Sequence, residues 1–176
     1  LLSGRAAGVT AVDRGDPVRT PQNPRGLRDL PFRVAEVTPP EKRRAARILA
    51  ALRDRYPDAH CALDFTGPLE LLIATMLSAQ ATDVGVNKAT PALFAKFKTA
   101  ADYAAAAPED LHPFIRSIGL YRNKAAAIVS ACGTIVRDHG GEVPSTMDDL
   151  LALRGVARKT ANVVLGNAFK QNVGMV

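Results

Sequence analysis

The residue best suited to chemistry in this sequence is a lysine that follows a glycine turn and lies beside an arginine. Residues 150–165 predict a short helix, a turn centred on Gly155 and a second helix that opens with Arg158 and Lys159. Backbone N–H groups at a helix start favour phosphate, and glycine lets the backbone approach a ligand closely. The helix start and Arg158 both place positive potential around Lys159. A neutral amine is what Schiff-base chemistry at a sugar aldehyde requires, so Lys159 is a candidate nucleophile.

These residues also have a plainer interpretation. An ordinary helical hairpin with a solvated cationic end would carry the same pattern, and the residues alone leave both interpretations open. Cys61 and Cys132 lie far apart in the sequence, and the three histidines are scattered at His60, His112 and His139. This spacing predicts no metal site. Cys132 lies in an apolar helical stretch and is predicted to be a core residue.

The composition indicates a basic protein with enough apolar residues for a packed core. The 176 residues are 47% hydrophobic and carry a formal net charge of +6. A positive balance of this size favours a polyanionic partner, most simply nucleic acid. No apolar run is long enough to span a membrane and no signal-peptide pattern is visible, so a cytoplasmic location is expected.

Apolar periodicity and turn residues predict an all-α fold of several short helices. Residues 1–40 hold six prolines and no apolar periodicity, which predicts a disordered basic tail. Asp83 is expected to cap one helix and Pro91 to begin another. The other predicted helices cover residues 41–56, 69–80, 100–106, 108–115 and 121–139. Thr99 is expected to cap the helix at 100–106, and Gly140-Gly141 to end the helix at 121–139. Ser145 or Thr146 is expected to cap the helix before the hairpin.

A weak internal repeat surrounds the glycine turn. Residues 117–125 align with residues 153–161, with glycine, an apolar residue, arginine and alanine in common. Each copy is predicted to be a helix-hairpin-helix, and two such turns could face a duplex together. The alternative is a coincidence of residues that are common at helix starts.

Three separated segments together resemble one known family. Residues 153–165 closely resemble the helix-hairpin-helix of endonuclease III, a DNA glycosylase and abasic-site lyase of base excision repair. Residues 77–83 and 118–124 resemble that family's other two signatures in the same order, and residues 141–144 match as well. The likeness covers about residues 42–176. It implies an all-α helix-hairpin-helix DNA glycosylase fold, with a six-helix barrel domain and most of the iron–sulfur domain missing.

The resemblance also implies roles for individual residues. Lys159 matches the lysine that attacks the sugar C1′, expels the damaged base and forms a Schiff base that β-eliminates the 3′ phosphate. Gln80 matches the residue that fills the gap left by the extruded base, and Leu120 matches the wedge pushed into the duplex. An apolar wedge and a polar filler offset part of the cost of extruding a base from the stack. The other expected DNA-binding residues are Lys124, Gly155, Val156, Ala157, Arg158 and Thr160.

Both residues also have purely structural interpretations. Leu120 would then be a buried hairpin residue, and Gln80 a polar group at the C-terminal end of a helix. The sequence also departs from the family, which usually has proline where Arg154 stands and a second glycine where Ala157 stands. The Cβ of Ala157 is expected to weaken the phosphate clamp, whereas Arg154 adds a phosphate-seeking charge.

The resemblance predicts a division of the chain and its cofactors. Residues 41–57 would belong to the second, cluster-bearing domain, residues 62–170 to the barrel with its hairpin at 148–170, and residues 171–176 to the start of the truncated second domain. The family's catalytic aspartate and its four [4Fe–4S] cysteines would lie beyond Val176, so no cofactor is expected in this chain. A monovalent cation held by hairpin carbonyls is implied by the family.

Two functions remain open from the sequence. One is a monomeric bacterial glycosylase and lyase acting on oxidised pyrimidines or abasic sites in duplex DNA, associated with the nucleoid, and weak or inactive in the truncated chain. The other is a duplex-DNA-binding module without chemistry. An adenine-mismatch glycosylase is disfavoured because such enzymes typically lack the lysine. An exposed apolar face on the first helix, with a tendency to aggregate, is also expected.

Overall fold

The computed structural model describes residues 38–174, and all regular structure in that range is α-helical. This confirms the all-α prediction. The chain divides into two units, Leu1–Arg55 and Tyr56–Val176. The eight helices of the described range are α1 (Pro39–Arg55), α2 (Pro68–Ser78), α3 (Asp83–Lys96), α4 (Ala100–Ala105), α5 (Pro108–Ile115), α6 (Tyr121–His139), α7 (Met147–Ala152) and α8 (Arg158–Asn167).

The described part of the first unit is α1. Helix α1 starts at Pro39, within the segment predicted as tail, and proline suits a first helical turn because it needs no N–H donor there. The rest of the predicted tail, residues 1–37, lies outside the described residues. The expected apolar face of α1 is exposed by about half at each of its large residues, which are Ile48, Leu49 and Leu52.

Helix α2 is the centre of the second unit. Every residue from 71 to 77 is buried, so this helix has no polar face, as is typical of a helix enclosed on all sides. Helices α3, α6 and α8 pack against α2. Helices α4 and α5 pack mainly on α6, and α7 packs on α8. No helix of residues 38–174 is long and apolar enough to cross a membrane.

Several predicted helix boundaries are confirmed and two predictions about α3 are wrong. Thr99 and Thr146 cap α4 and α7, and Gly140 (φ +62°) ends α6. Thr82, not Asp83, caps α3, since its hydroxyl accepts from the Gly85 N–H at 3.2 Å. This threonine leaves Asp83 as the first helical residue.

Pro91 does not begin a helix but lies inside α3. An internal proline removes one backbone hydrogen bond. The helix continues past it because packing holds both sides: Ala89 and Thr90 before the proline and Leu93 after it are buried.

The two cysteines of the second unit should differ in reactivity. Burial raises the pKa of the Cys132 thiol to about 12, whereas Cys61 is partly exposed. Because the thiolate is the reactive form, we expect a thiol-specific reagent to label only Cys61 in the folded protein at pH 8. Labelling in denaturant, where both should react, is the control. Fast labelling of Cys132 without denaturant would contradict this assignment of the core.

Candidate functional site

The ends of several helices meet around one cleft of about 340 Å³ in the second unit. The turn after α2 contributes Ala79 and Gln80, and the first two turns of α8 contribute Lys159, Thr160 and Val163. The structure therefore brings together Lys159 and Gln80, which lie 79 positions apart in the sequence. The remaining lining residues are Cys61, Ala62, Leu63, Thr75, Ser78 and Asp83.

The turn before α8 depends on glycine for both conformation and space. Gly155 has φ +82°, and a Cβ there would lie 3.0 Å from Ala127 Cβ and 3.1 Å from Met76 Cε. The left-handed conformation and the close approach both disfavour any larger residue. The turn is thereby pressed against α2 and α6.

Lys159 and Arg158 lie exposed in the first turn of α8. The residue before the helix is Ala157, which is also exposed and has no side-chain oxygen to accept from the first-turn N–H groups. Leu120 stands in the same position before α6 and likewise gives no side-chain cap. Helices α2 and α5 also begin without a side-chain cap, whereas threonine hydroxyls cap α3, α4 and α7. The uncapped helix starts keep their backbone donors for an anion.

The two predicted insertion residues both have left-handed backbones. Gln80 has φ +56° and Leu120 has φ +58°, a conformation that costs a non-glycine residue about 1–2 kcal/mol. Both side chains are exposed, and 59% of the Leu120 surface is accessible. A Cβ built on Gly119 would lie 4.0 Å from the Gln80 carbonyl oxygen, so the two turns lie side by side.

Two of the residues predicted to bind DNA are buried. Val156 is 7% exposed and its N–H donates to the Leu153 carbonyl at 3.2 Å, so its side chain belongs to the core. Lys124 is 8% exposed. Its ammonium group donates to the Leu77 carbonyl at 2.8 Å and to the Ala79 carbonyl at 2.6 Å, and this burial lowers its pKa.

The two repeat copies have similar connections but different turns. Residues 116–120 and 153–157 each join two helices through five residues. In the second copy the left-handed residue is Gly155, whereas in the first it is Leu120, one position after the aligned glycine. The shift exposes Leu120, while its aligned counterpart Val156 is buried.

Sequence reasoning did not single out Asp83 and Cys61 as lining the cleft. Asp83 was predicted only as a helix cap, although it belongs to the segment 77–83 that carries part of the resemblance. Cys61 precedes the first segment of the resemblance, and no local pattern marks it. The carboxylate of Asp83 is the one acidic group among the residues that line this cleft.

The described residues do not fit an iron–sulfur cluster. Residues 38–174 contain no group of three or more His, Cys, Asp or Glu side chains that could hold a metal ion. Such a cluster needs four thiolates, whereas this chain has two cysteines, one in the cleft and one buried in α6.

Comparisons with known proteins agree with this geometry. Residues 73–172 match the family described as HhH-GPD superfamily base excision DNA repair protein. The sequence is 51% identical to endonuclease III of Synechocystis sp. over 129 residues, which is 73% of this chain and 59% of that relative. It is 47% identical to endonuclease III of Escherichia coli K12 over 128 residues, 73% of this chain and 61% of that relative.

Solved structures show the same relationship. A trapped endonuclease III–DNA covalent intermediate aligns with a TM-score of 0.68 and 50% identity, covering 73% of this chain and 61% of that one. A thermostable thymine-DNA glycosylase aligns with a TM-score of 0.69 and 25% identity, covering 78% and 64%. The chain spans about three fifths of the length of the curated relatives given above.

Replacement of Gly155 by alanine should destabilise the second unit. The positive φ of this position strains any residue with a Cβ, and the new Cβ would make tight contacts with Ala127 at 3.0 Å and Met76 at 3.1 Å, so we expect a loss of about 1–3 kcal/mol. Urea unfolding measures the change. The matched control is Gly133→Ala within α6, where a Cβ meets nothing within 4 Å and alanine favours the helix. Equal stability of the two variants would contradict the packing described for the turn.

Proposed function

Because the chain belongs to the HhH-GPD superfamily of base excision DNA repair proteins, we propose that it acts on duplex DNA as a glycosylase and abasic-site lyase. Its substrates would be oxidised pyrimidines and the abasic sites left by their removal. The observation that carries this proposal is the cleft shared by Lys159 and Gln80, beside the exposed Leu120. An amine, a polar filler and an apolar wedge are what extrusion and attack of a nucleotide require.

DNA binding would use the uncapped helix starts of α6 and α8. Their free N–H groups and the exposed Arg158 and Arg154 offer donors to successive phosphates without reading sequence. Ala157 and Gly155 are exposed as well and would let a phosphate approach the backbone, while Thr160 lines the cleft. Binding of this kind would place the protein, as a monomer, on the chromosome.

Leu120 and Gln80 would act on the duplex itself. The apolar side chain of Leu120 would enter the base stack, and the amide of Gln80 would occupy the space of the extruded nucleotide. Their exposed, left-handed turns hold both side chains out from the core before DNA arrives. Fixed positions of this kind lower the ordering cost of binding.

The chemical step would centre on the Nζ atom of Lys159. Its lone pair forms a bond to C1′ as the bond from C1′ to the base breaks, and the base leaves with that electron pair and gains a proton. Opening of the sugar ring gives an imine between Nζ and C1′. Removal of a C2′ proton then expels the 3′ phosphate with its bonding electrons. The likeness to a structure described as a trapped endonuclease III–DNA covalent intermediate supports this route.

A binding module without chemistry is the second candidate. Among the residues that line the cleft, Asp83 is the sole acid, whereas the family resemblance implies a further catalytic aspartate. We assign residues 62–170 to the barrel and residues 41–57 and 171–176 to the second domain. A [4Fe–4S] cluster would belong to that domain in a full-length relative. Backbone carbonyls of the hairpin would hold a monovalent cation.

Borohydride trapping separates the two candidates. With a duplex carrying a natural abasic site, we expect the reduced imine to link Lys159 covalently to DNA, and Lys159→Gln to abolish this adduct. Lys170→Gln, which changes an exposed lysine that does not line the cleft, is the matched control and should keep the adduct. A gel shift under denaturing conditions measures it. Undiminished trapping of Lys159→Gln would contradict the catalytic role of Lys159. Binding of the wild-type protein to this duplex without trapping would favour the module without chemistry.

Replacement of Ala157 by glycine should strengthen DNA binding. The change removes a Cβ where backbone and phosphate should meet, so we expect a few-fold tighter affinity for abasic-site DNA, worth about 0.5–1 kcal/mol. Ala152→Gly, at the exposed end of α7, is the control and should leave affinity unchanged. Fluorescence anisotropy gives both values, and unchanged or weaker binding of Ala157→Gly would count against the proposed approach.

A further inference from the structure

We propose that Lys124 is a positioning residue that fixes the wedge Leu120 and the filler Gln80 relative to each other without touching DNA. The juxtaposition behind this proposal is a buried ammonium group on α6 that binds the turn carrying Gln80. The proposal rests on the proposed function, because it concerns the two residues assigned there to base extrusion.

The side chain of Lys124 reaches from α6 to the end of α2. Its ammonium group donates to the carbonyl oxygens of Leu77 and Ala79 at 2.8 and 2.6 Å. Ala79 directly precedes Gln80, whose φ of +56° turns the chain away from the α2 axis. Negative potential at a helix C-terminus favours a cation. The two hydrogen bonds therefore hold the residues on which the left-handed turn is built.

The backbone of Lys124 is joined to the other turn. Its N–H donates to the Leu120 carbonyl at 3.0 Å, one helical turn away from the left-handed Leu120. Lys124 thus bonds to the wedge residue through its main chain and to the residue before the filler through its side chain. The two turns also approach each other at Gly119, where an added Cβ would lie 4.0 Å from the Gln80 carbonyl oxygen.

The environment of Lys124 separates this role from a phosphate contact. The residue is 8% exposed, and no carboxylate of residues 38–174 lies within ion-pair distance of its ammonium group. Two backbone carbonyls are its partners, and desolvation lowers its pKa. A buried cation is costly unless it is hydrogen-bonded. The Lys124 ammonium group is thus occupied by backbone carbonyls of the protein. The neighbouring Arg122 is exposed, with its guanidinium 5.4 Å from the centre of the Tyr121 ring, and is accessible to a phosphate.

Lysine acetylation of the wild-type 176-residue chain tests the placement directly. In the absence of DNA, we expect Lys124 to react about tenfold more slowly than the exposed Lys88 and Lys159, a factor that corresponds to about 1.4 kcal/mol of protection. A duplex with a tetrahydrofuran abasic analogue should then protect Lys159 and leave the rate at Lys124 unchanged. Fast labelling of Lys124 that the duplex suppresses would overturn the proposal in favour of a direct phosphate contact.

Lys124→Met tests the coupling between the two turns. Without DNA, hydrogen exchange should accelerate about tenfold at residues 79–83 and 119–123 together, with exchange in α4 and α5 unchanged. Affinity for the abasic-analogue duplex should fall about tenfold, while affinity for intact duplex and its dependence on salt stay as in wild type. Lys124→Arg, which keeps a cationic donor, should recover part of the preference for the abasic duplex.

Arg122→Met is the matched control on the same turn of α6. Removal of this exposed cation should lower affinity for both duplexes and reduce the slope of log K against log salt by about 0.9 for each lost phosphate contact. Its hydrogen exchange at residues 79–83 should match wild type. The same salt response from Lys124→Met, or exchange that rises at only one of the two turns, would overturn the positioning role.

Binding to the abasic and intact duplexes distinguishes failure of the proposed function from failure of the positioning role of Lys124. If wild-type protein does not prefer the abasic duplex over intact DNA, the proposed function fails, and with it the assignment of Gln80 and Leu120. If wild type shows that preference and Lys124→Met keeps it in full, the function stands and the inference about Lys124 is wrong. Global unfolding of Lys124→Met would leave the acetylation pattern of the wild-type chain to decide.

Discussion

The buried end of α2 is the constraint on which the site depends. A helix that is enclosed from residue 71 to 77 ends with carbonyl oxygens that need donors, because an unpaired buried acceptor costs about 1–3 kcal/mol. The ammonium group of Lys124 meets this need at Leu77 and Ala79. The central core, the start of α6 and the turn with Gln80 are therefore tied at one point. Exposed side chains can be held firmly here because the atoms beneath them belong to the core.

Much of the fold could be predicted because local signals agreed with the packing. Threonine caps, prolines at helix starts and the glycines after α6 marked most of the boundaries, and a nearly continuous apolar run identified α2. The resemblance correctly indicated the family to which the chain belongs. The prediction that Pro91 begins a helix is wrong because proline is typical of a first helical turn, whereas here tertiary packing overrides that preference. Burial of Leu93 and of the residues before Pro91 holds the helix together on both sides of the proline.

The site was harder to predict because its features depend on tertiary contacts. A lysine in a helical sequence is usually on the surface, so nothing local shows that Lys124 is buried between two helices. The left-handed backbones of Gln80 and Leu120 also have no sequence marker, since neither residue is glycine. The aligned repeat even suggested that residues 120 and 156 should be equivalent. A one-residue shift of the left-handed position makes one of them a protruding side chain and the other a core residue.

The missing cap of α8 has a consequence for protein engineering. Replacement of an uncapped helix start by Asp or Ser commonly stabilises a protein by about 1 kcal/mol, and Ala157 has the extended backbone that such a cap requires. A cap at this position would occupy the same backbone donors that an incoming phosphate needs, and Asp would add repulsion. A position where stability is easy to gain is therefore one that a thermostabilised version should leave untouched.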